Sequence, residues 1–402
     1  MIAVNGRSYR VRNVPVVGIC LDGTDPCYLE AARGVMPELS AMAAKGASGV
    51  ARSVIPSFTN PNNIAIATGV PPSVNGICGN YYYDEAIGEE VMMNDPKYLR
   101  CPTIFAAFAD ADARVAVVTT KDKLLRLLGK GLNGVCVSVE AAGKPDGDSF
   151  PIVQKVGRPA PGIYDPEISV YCIEAGVRLI ETENIGLAYL TTTDFVQHKY
   201  KPGSAEANAF YARIDRFIGQ LDQLGAVVAV TADHGMNDKV NSDGSPKVQF
   251  LETLLADAGF REARVILPIT DPYVVHHGAL GSYATIYLGN DGVERAREFL
   301  GEVPGIEFVL SRSEAAGRFH LPPDRIGDLV VLADQSTTLG RRPSWHDLSA
   351  VESGLRSHGG LHEQSVPFIF NRPLLPGYAD ELAAGEANNF DLFDFACNGT
   401  QD

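Results

Sequence analysis

The stretch Val14-Pro15-Val16-Val17-Gly18-Ile19-Cys20-Leu21-Asp22-Gly23 is an apolar run that ends on a carboxylate and a glycine. Residues 14–21 show no polar alternation, so a strand formed there is buried on both faces, as in the middle of a parallel sheet. The amphipathic segment 29–45, stopping at Gly46, predicts a helix directly after it. The same succession returns: short strands at 114–119, 186–192 and 226–231, with helical periodicity over 167–181 and 204–224. Strand–helix alternation of this kind predicts an α/β fold, a mostly parallel sheet sandwiched between helices. After about residue 262 the segments at 264–267, 284–288 and 307–310 are short and separated by Pro- and Gly-containing turns, with a helix near 292–300. This reads as a smaller α+β cap insertion, after which 366–370 returns as a last buried strand. The expected division is therefore a core formed by residues 1–262 and 357–402, interrupted by a cap at 263–356. No internal repeat or low-complexity tract is visible.

Composition narrows the function classes. The 402 residues are 45% apolar and 21% charged, ordinary globular usage that rules out disorder and coiled coil. Against 49 acidic residues stand 34 basic ones, a net charge of −15. That surplus argues against nucleic acid or an anionic membrane as the main partner, and it requires any anionic substrate to be captured by a local cationic site. No apolar run approaches the ~18 residues of a membrane span, and the first residues, MIAVNGRSYRVRNV, lack the apolar core of a secretory signal. Seven cysteines, an odd number without a CxxC pair, read as reduced, packed thiols of a cytoplasmic protein. Monomer and homodimer both stay open.

In open α/β sheets the binding residues gather at the carboxyl ends of strands. Here the first strand ends at Asp22-Gly23, the strand at 186–192 runs into Asp194 and His198, the strand at 226–231 ends at Asp233-His234-Gly235, and His358-Gly359 and His362 precede the last strand. Asp194 and His198 are four apart, so one helical turn aims both at a single ion. Mixed carboxylate and imidazole donors suit zinc, with manganese or iron as substitutes. Their number exceeds the needs of one catalytic ion and points to a pair about 4 Å apart.

The segment Ser57-Phe58-Thr59-Asn60-Pro61-Asn62-Asn63 reads as a helix start, with Pro61 in the first turn. Thr59 or Asn60 is then either a plain N-cap or, for Thr59, a nucleophile. A helix end contributes up to about 2 kcal/mol to activating a hydroxyl. Zinc lowers the pKa of bound water from about 15.7 to about 7, which is roughly 12 kcal/mol. Only a metal makes an alkoxide at neutral pH.

These elements, in this order, resemble the alkaline phosphatase superfamily, and Thr59 with Asp194 through His198 resembles its nucleotide pyrophosphatase/phosphodiesterase branch. Longer strings, among them residues 57–63, 76–80, 91–96, 120–123 and 194–200, are similar to the phosphonoacetate hydrolases of that branch. The resemblance implies one metal ion held by Asp22, Thr59, Asp233 and His234 and a second by Asp194, His198 and His358, with His362 as the alternative last ligand. It further implies Thr59 as nucleophile, Asn80 on the transition state and Lys121 and Lys123 on the substrate carboxylate. The expected activity is cleavage of the carbon–phosphorus bond of phosphonoacetate, and the competing one is phosphodiester or pyrophosphate hydrolysis at P–O bonds. Both lysines follow the strand at 114–119 and so emerge at the metal-bearing edge; a solvated helix start is the plainer reading of them. The lone Trp345 is expected in packing, Tyr81-Tyr82-Tyr83 in the pocket wall or the core, and His276, His277 and His346 on the surface of the insertion.

Overall fold

The opening apolar run forms the central strand of a computed structural model that describes residues 1–142, 144, 150–270, 278–289, 292–349, 351 and 354–402. In chain order the strands that matter are β1 (Val16–Cys20), β2 (Ala47–Arg52), β3 (Val115–Thr119), β4 (Val135–Ser138), β5 (Leu187–Thr191), β6 (Val227–Thr231), β7 (Arg264–Ile266), β8 (Tyr283–Tyr287), β9 (Ile306–Ser311), β10 (Leu329–Ala333) and β11 (Ser365–Phe370). The main sheet has the order β2-β11-β6-β1-β5-β3-β4. Strands β6, β1, β5, β3 and β4 pair in parallel, with Cys20 level with both Thr231 and Thr191. Their carboxyl ends therefore share one edge.

Every residue of β1, β3, β5 and β6 is buried. Alternate side chains serve two cores: Val16 and Cys20 face one, Val17 and Ile19 the other. The helices that matter are α1 (Pro26–Ala32), α2 (Pro37–Lys45), α3 (Thr59–Thr68), α4 (Asp122–Leu128), α5 (Glu167–Thr182), α6 (Phe195–Lys199) and α7 (Ala205–Gln223), and the long α5 and α7 lie on the second face. The first face is covered by Ile64 and Ile66 of α3, by Phe105, and by Leu392 and Phe393 near the C-terminus. A mostly parallel sheet with helices on both sides is the expected architecture, of the alkaline phosphatase-like type.

Three details differ from the sequence reading. The expected helix 29–45 is two helices, because Pro37 cannot continue α1 and instead starts α2 after a 3-10 turn at Arg33–Val35. The last strand, β11, runs antiparallel to both β6 and β2, so the sheet is mixed. Strands β2 and β4, absent from the sequence reading, form its two edges.

A second, antiparallel sheet has the order β7-β8-β10-β9. The apolar run of β10 at its centre and the helix Arg312–Phe319 add to the segments expected there. Among the described residues, no helix is long and apolar enough to cross a membrane. No disulfide joins any of the seven cysteines; Cys20, Cys78, Cys172 and Cys397 are buried, whereas Cys27 is exposed. Trp345 is not packed away: it is 58% exposed, beneath the Arg341 guanidinium. Tyr82 is in the core, His346 Nδ1 meets the Gly278 carbonyl at 2.7 Å, and His276 and His277 lie outside the described residues.

Candidate active site

The parallel strands deliver their acidic and imidazole side chains to one place. Asp22 follows β1, Asp194 follows β5, and Asp233 and His234 follow β6. The antiparallel β11 has its amino end on the same edge, which brings His358 there from the segment before it. Two overlapping groups form, Asp22–Asp233–His234 and Asp194–His234–His358, with ligand atoms within 4.8 Å of one another in each. His198, one turn after Asp194 on α6, places Nε2 2.9 Å from Asp194 Oδ2. His358 Nε2 lies 3.6 Å from that same oxygen. The His234 and His358 rings stack at 3.5 Å.

The local backbone explains why these side chains can converge. Gly23 adopts φ +70, and a Cβ on it would come within 2.8 Å of Asp194 Cβ. Gly359 adopts φ +120, and a Cβ there would strike the Phe58 ring at 2.3 Å. The Asp-Gly and His-Gly pairs thus mark places where two chain segments meet too closely for a side chain. His362, by contrast, is 35% exposed and bonds Glu307 at 2.7 Å, away from the cluster.

All three imidazoles are oriented by main-chain carbonyls. Nδ1 of His198 bonds the Arg356 carbonyl at 2.7 Å, that of His234 the Gly235 carbonyl at 2.9 Å, and that of His358 the Ser57 carbonyl at 2.7 Å. Each Nδ1 is then a donor to the main chain and Nε2 is the nitrogen turned to the carboxylates, the orientation of metal-binding histidines. His234 Nε2 and Asp22 Oδ1 face each other at 3.2 Å, fully buried and without a hydrogen bond. A divalent cation between them would engage the carboxylate and the ring nitrogen together. The donor set fits a divalent metal.

The electrostatics agree. Burial and the neighbouring Asp22 push the Asp233 carboxyl up to about 8. Burial opposes a charged His234 ring, but Asp233 and Asp22 outweigh it and raise that pKa to about 9. Burial also opposes ionisation of Asp194, yet His198 and Lys121 hold it well below the usual carboxylate range. The cluster is short of positive charge, and Lys121 partly supplies it. Its ammonium sits 2.8 Å from Asp22 Oδ2 and 3.7 Å from Asp194 Oδ1.

Thr59 is the first residue of α3, 7% exposed. Phe58 occupies the N-cap and makes no side-chain cap bond, so neither Thr59 nor Asn60 serves as the cap. Asn80 Oδ1 accepts the Asn60 N–H at 3.2 Å. A cavity of about 350 Å³ is lined by Thr59, Asn80, Lys121, Lys123, Asp194 and His358, with Tyr164, Phe195 and Ile269 among its apolar walls. None of Tyr81, Tyr82 or Tyr83 lines it.

The sequence model of the type I phosphodiesterase/nucleotide pyrophosphatase family matches residues 16–361. The chain belongs to this family. Among solved structures, phosphonoacetate hydrolase from Sinorhizobium meliloti 1021, in complex with phosphonoacetate or with phosphonoformate, is 52% identical. The match covers 98% of each chain with a TM-score of 0.92. Murine ectonucleotide pyrophosphatase/phosphodiesterase 5 shares the fold at 18% identity, with a TM-score of 0.64 over 95% of this chain and 94% of that one. In this type I phosphodiesterase/nucleotide pyrophosphatase chain, two site features lie outside the sequence reading. Lys121 contacts Asp22 and Asp194 directly, and the buried amide of Asn63 sits between Thr59 and Asp233. The second had a signal: two consecutive asparagines, poor helix formers, directly before the apolar residues 64–67 of the same helix.

Proposed function

We propose that this chain hydrolyses the carbon–phosphorus bond of phosphonoacetate to acetate and phosphate, through a phospho-threonine formed on Thr59. The observation that carries this reading is one cavity in which Thr59, Asn80, Lys121 and Lys123 adjoin the carboxylate–imidazole cluster. Its weight comes from the 52% identity to a phosphonoacetate hydrolase solved with that substrate.

Asp22, Thr59, Asp233 and His234 would hold one divalent cation and Asp194, His198 and His358 a second. Zinc suits these donors best, with Mn2+ or Fe2+ as substitutes. When bound, such ions offset phosphonate charge and supply the acidity that a threonine hydroxyl lacks. Thr59 Oγ attacks phosphorus in line with the carbon–phosphorus bond, and the Asn80 amide donates to a phosphonate oxygen. As that bond breaks, its electron pair passes to the methylene carbon and spreads into the adjoining carboxylate as an enediolate. Lys121 and Lys123 bind this carboxylate and stabilise the added charge. Protonation of the carbon gives acetate; water then cleaves the phospho-threonine, releasing phosphate and restoring the hydroxyl. The segment 263–356 acts as a cap inserted in a core of 1–262 and 357–402, and touches the cavity through Ile269.

Hydrolysis of P–O esters is the second reading, favoured by the family and by an apolar wall that includes Tyr164 and Phe195. Phosphate release from phosphonoacetate, compared with turnover of a p-nitrophenyl nucleotide ester, separates the two. We expect the first to be the faster substrate and a chelator to abolish it. Turnover of the ester alone would overturn the assignment.

A further inference from the structure

Asn63 is fully buried on α3, one helical turn after Thr59. Its side-chain amide spends all of its hydrogen-bonding capacity. Oδ1 accepts from the hydroxyls of Tyr189 and Thr191, each at 2.8 Å. Nδ2 donates to the Thr59 carbonyl and to Asp233 Oδ2, each at 3.0 Å. The partners fix the orientation: two hydroxyl donors require the oxygen on one side, a carbonyl and a carboxylate require the nitrogen on the other. Asp233 Oδ1 is already held by the main-chain N–H groups of Gly23 and His234, at 3.1 Å each. Asn63 therefore holds the remaining oxygen, the one 3.8 Å from His234 Nε2.

We propose that Asn63 is a positioning residue that couples the turn bearing Thr59 to the cation site of Asp22, Asp233 and His234, a proposal that rests on the di-cation reading given above. One amide bonds both the main chain of the nucleophile and a carboxylate of that site, so neither moves without the other. Tyr189 and Thr191 anchor the amide to the end of β5, which also leads into Asp194. Nucleophile and ligands are thereby tied through the rigid sheet and not through the loops that carry them.

The test is zinc uptake by metal-free protein in competition with a chromophoric chelator. We expect the parent to bind two zinc ions. Asn63→Ala should keep one at parental affinity and bind the other about 10–100-fold more weakly, as loss of a hydrogen bond to a ligating carboxylate does. Tyr189→Phe, which removes one hydroxyl and little else, should weaken the same site by a smaller factor. In Asn63→Ala, turnover of phosphonoacetate at limiting zinc should recover in part when zinc is raised. Two ions at parental affinity, or two weakened equally, overturn the proposal; if Asn63→Ala does not fold, unchanged affinity in Tyr189→Phe overturns it. A parent that binds no zinc sinks the di-cation reading itself, whereas a parent that binds two and turns over phosphonoacetate leaves only the role of Asn63 at stake.

Discussion

Removing the charge of Lys121 while keeping its aliphatic length, as in Lys121→Met, bears on the two duties assigned to this residue. Its ammonium lies 2.8 Å from Asp22 and 3.7 Å from Asp194, and those carboxylates are 0% and 8% exposed. At an effective dielectric constant of about 20, charges at those separations attract by about 6 and about 4.5 kcal/mol. Most of this offsets the cost of burying the charges, so the net loss on removing one partner is about 3–5 kcal/mol. At about 2.1 cal/mol/K per residue, unfolding a chain of 402 residues carries an entropy of about 0.8 kcal/mol/K. The melting temperature of chelated protein should then fall by about 4–6 °C, read by calorimetry. With zinc present the deficit should shrink to a fraction of that, because the carboxylates gain other cations, and zinc affinity should rise, because a competing positive charge is gone. Phosphonoacetate turnover should nevertheless fall, with KM increased, since the substrate carboxylate loses a partner. Equal melting deficits with and without zinc would refute the reasoning, because the ion pair would then be structural whatever fills the site.

Thr59→Ala should abolish phosphonoacetate turnover and leave the cation content of the protein nearly intact, as measured by elemental analysis beside a phosphate-release assay; retained turnover would mean a different nucleophile. Lys123→Met should raise KM for phosphonoacetate by roughly tenfold, the loss of about 1.4 kcal/mol expected of one charge-assisted contact, while turnover of a p-nitrophenyl ester, which lacks the carboxylate, stays near that of the parent. The chelated protein should lose stability as pH rises. Asp233, pushed up to about 8 by burial and Asp22, and His234, raised to about 9 by Asp233 and Asp22 against burial, both hold protons more tightly folded than unfolded. The stability each contributes is complete below its unfolded value, about 3.9 or 6.5, and is lost as pH passes through the folded one. Thermal midpoints of chelated protein should therefore drop up to about pH 9, and zinc should flatten that slope; a midpoint independent of pH without zinc would contradict the charge shortage.

What was legible in the sequence was whatever a single segment displays by itself. Strands β1, β3, β5 and β6 are buried throughout and show as apolar runs, whereas β2 at the sheet edge has the burial of a half-exposed strand and carries Ser48, Gly49 and Arg52. The apolar faces of α1 and α2 continue one periodicity across Pro37, so the helical pattern persists where the backbone does not. The acidic and imidazole residues were legible because strand ends and adjoining glycines mark them locally. Contacts such as Lys121 with Asp22, 99 residues apart, or Asn63 with Asp233, 170 apart, exist only once the sheet has assembled. Even so, Asn63 left a trace. An asparagine in a helix interior competes with the backbone for hydrogen bonds, and its burial costs free energy unless every bond is made. A residue that breaks both the helical and the burial rule persists where neighbouring elements satisfy it completely, and here those neighbours are the turn of Thr59, the proposed nucleophile, and Asp233, a proposed ligand of the cation site. The violation of local preference and the location of the chemistry therefore have one cause.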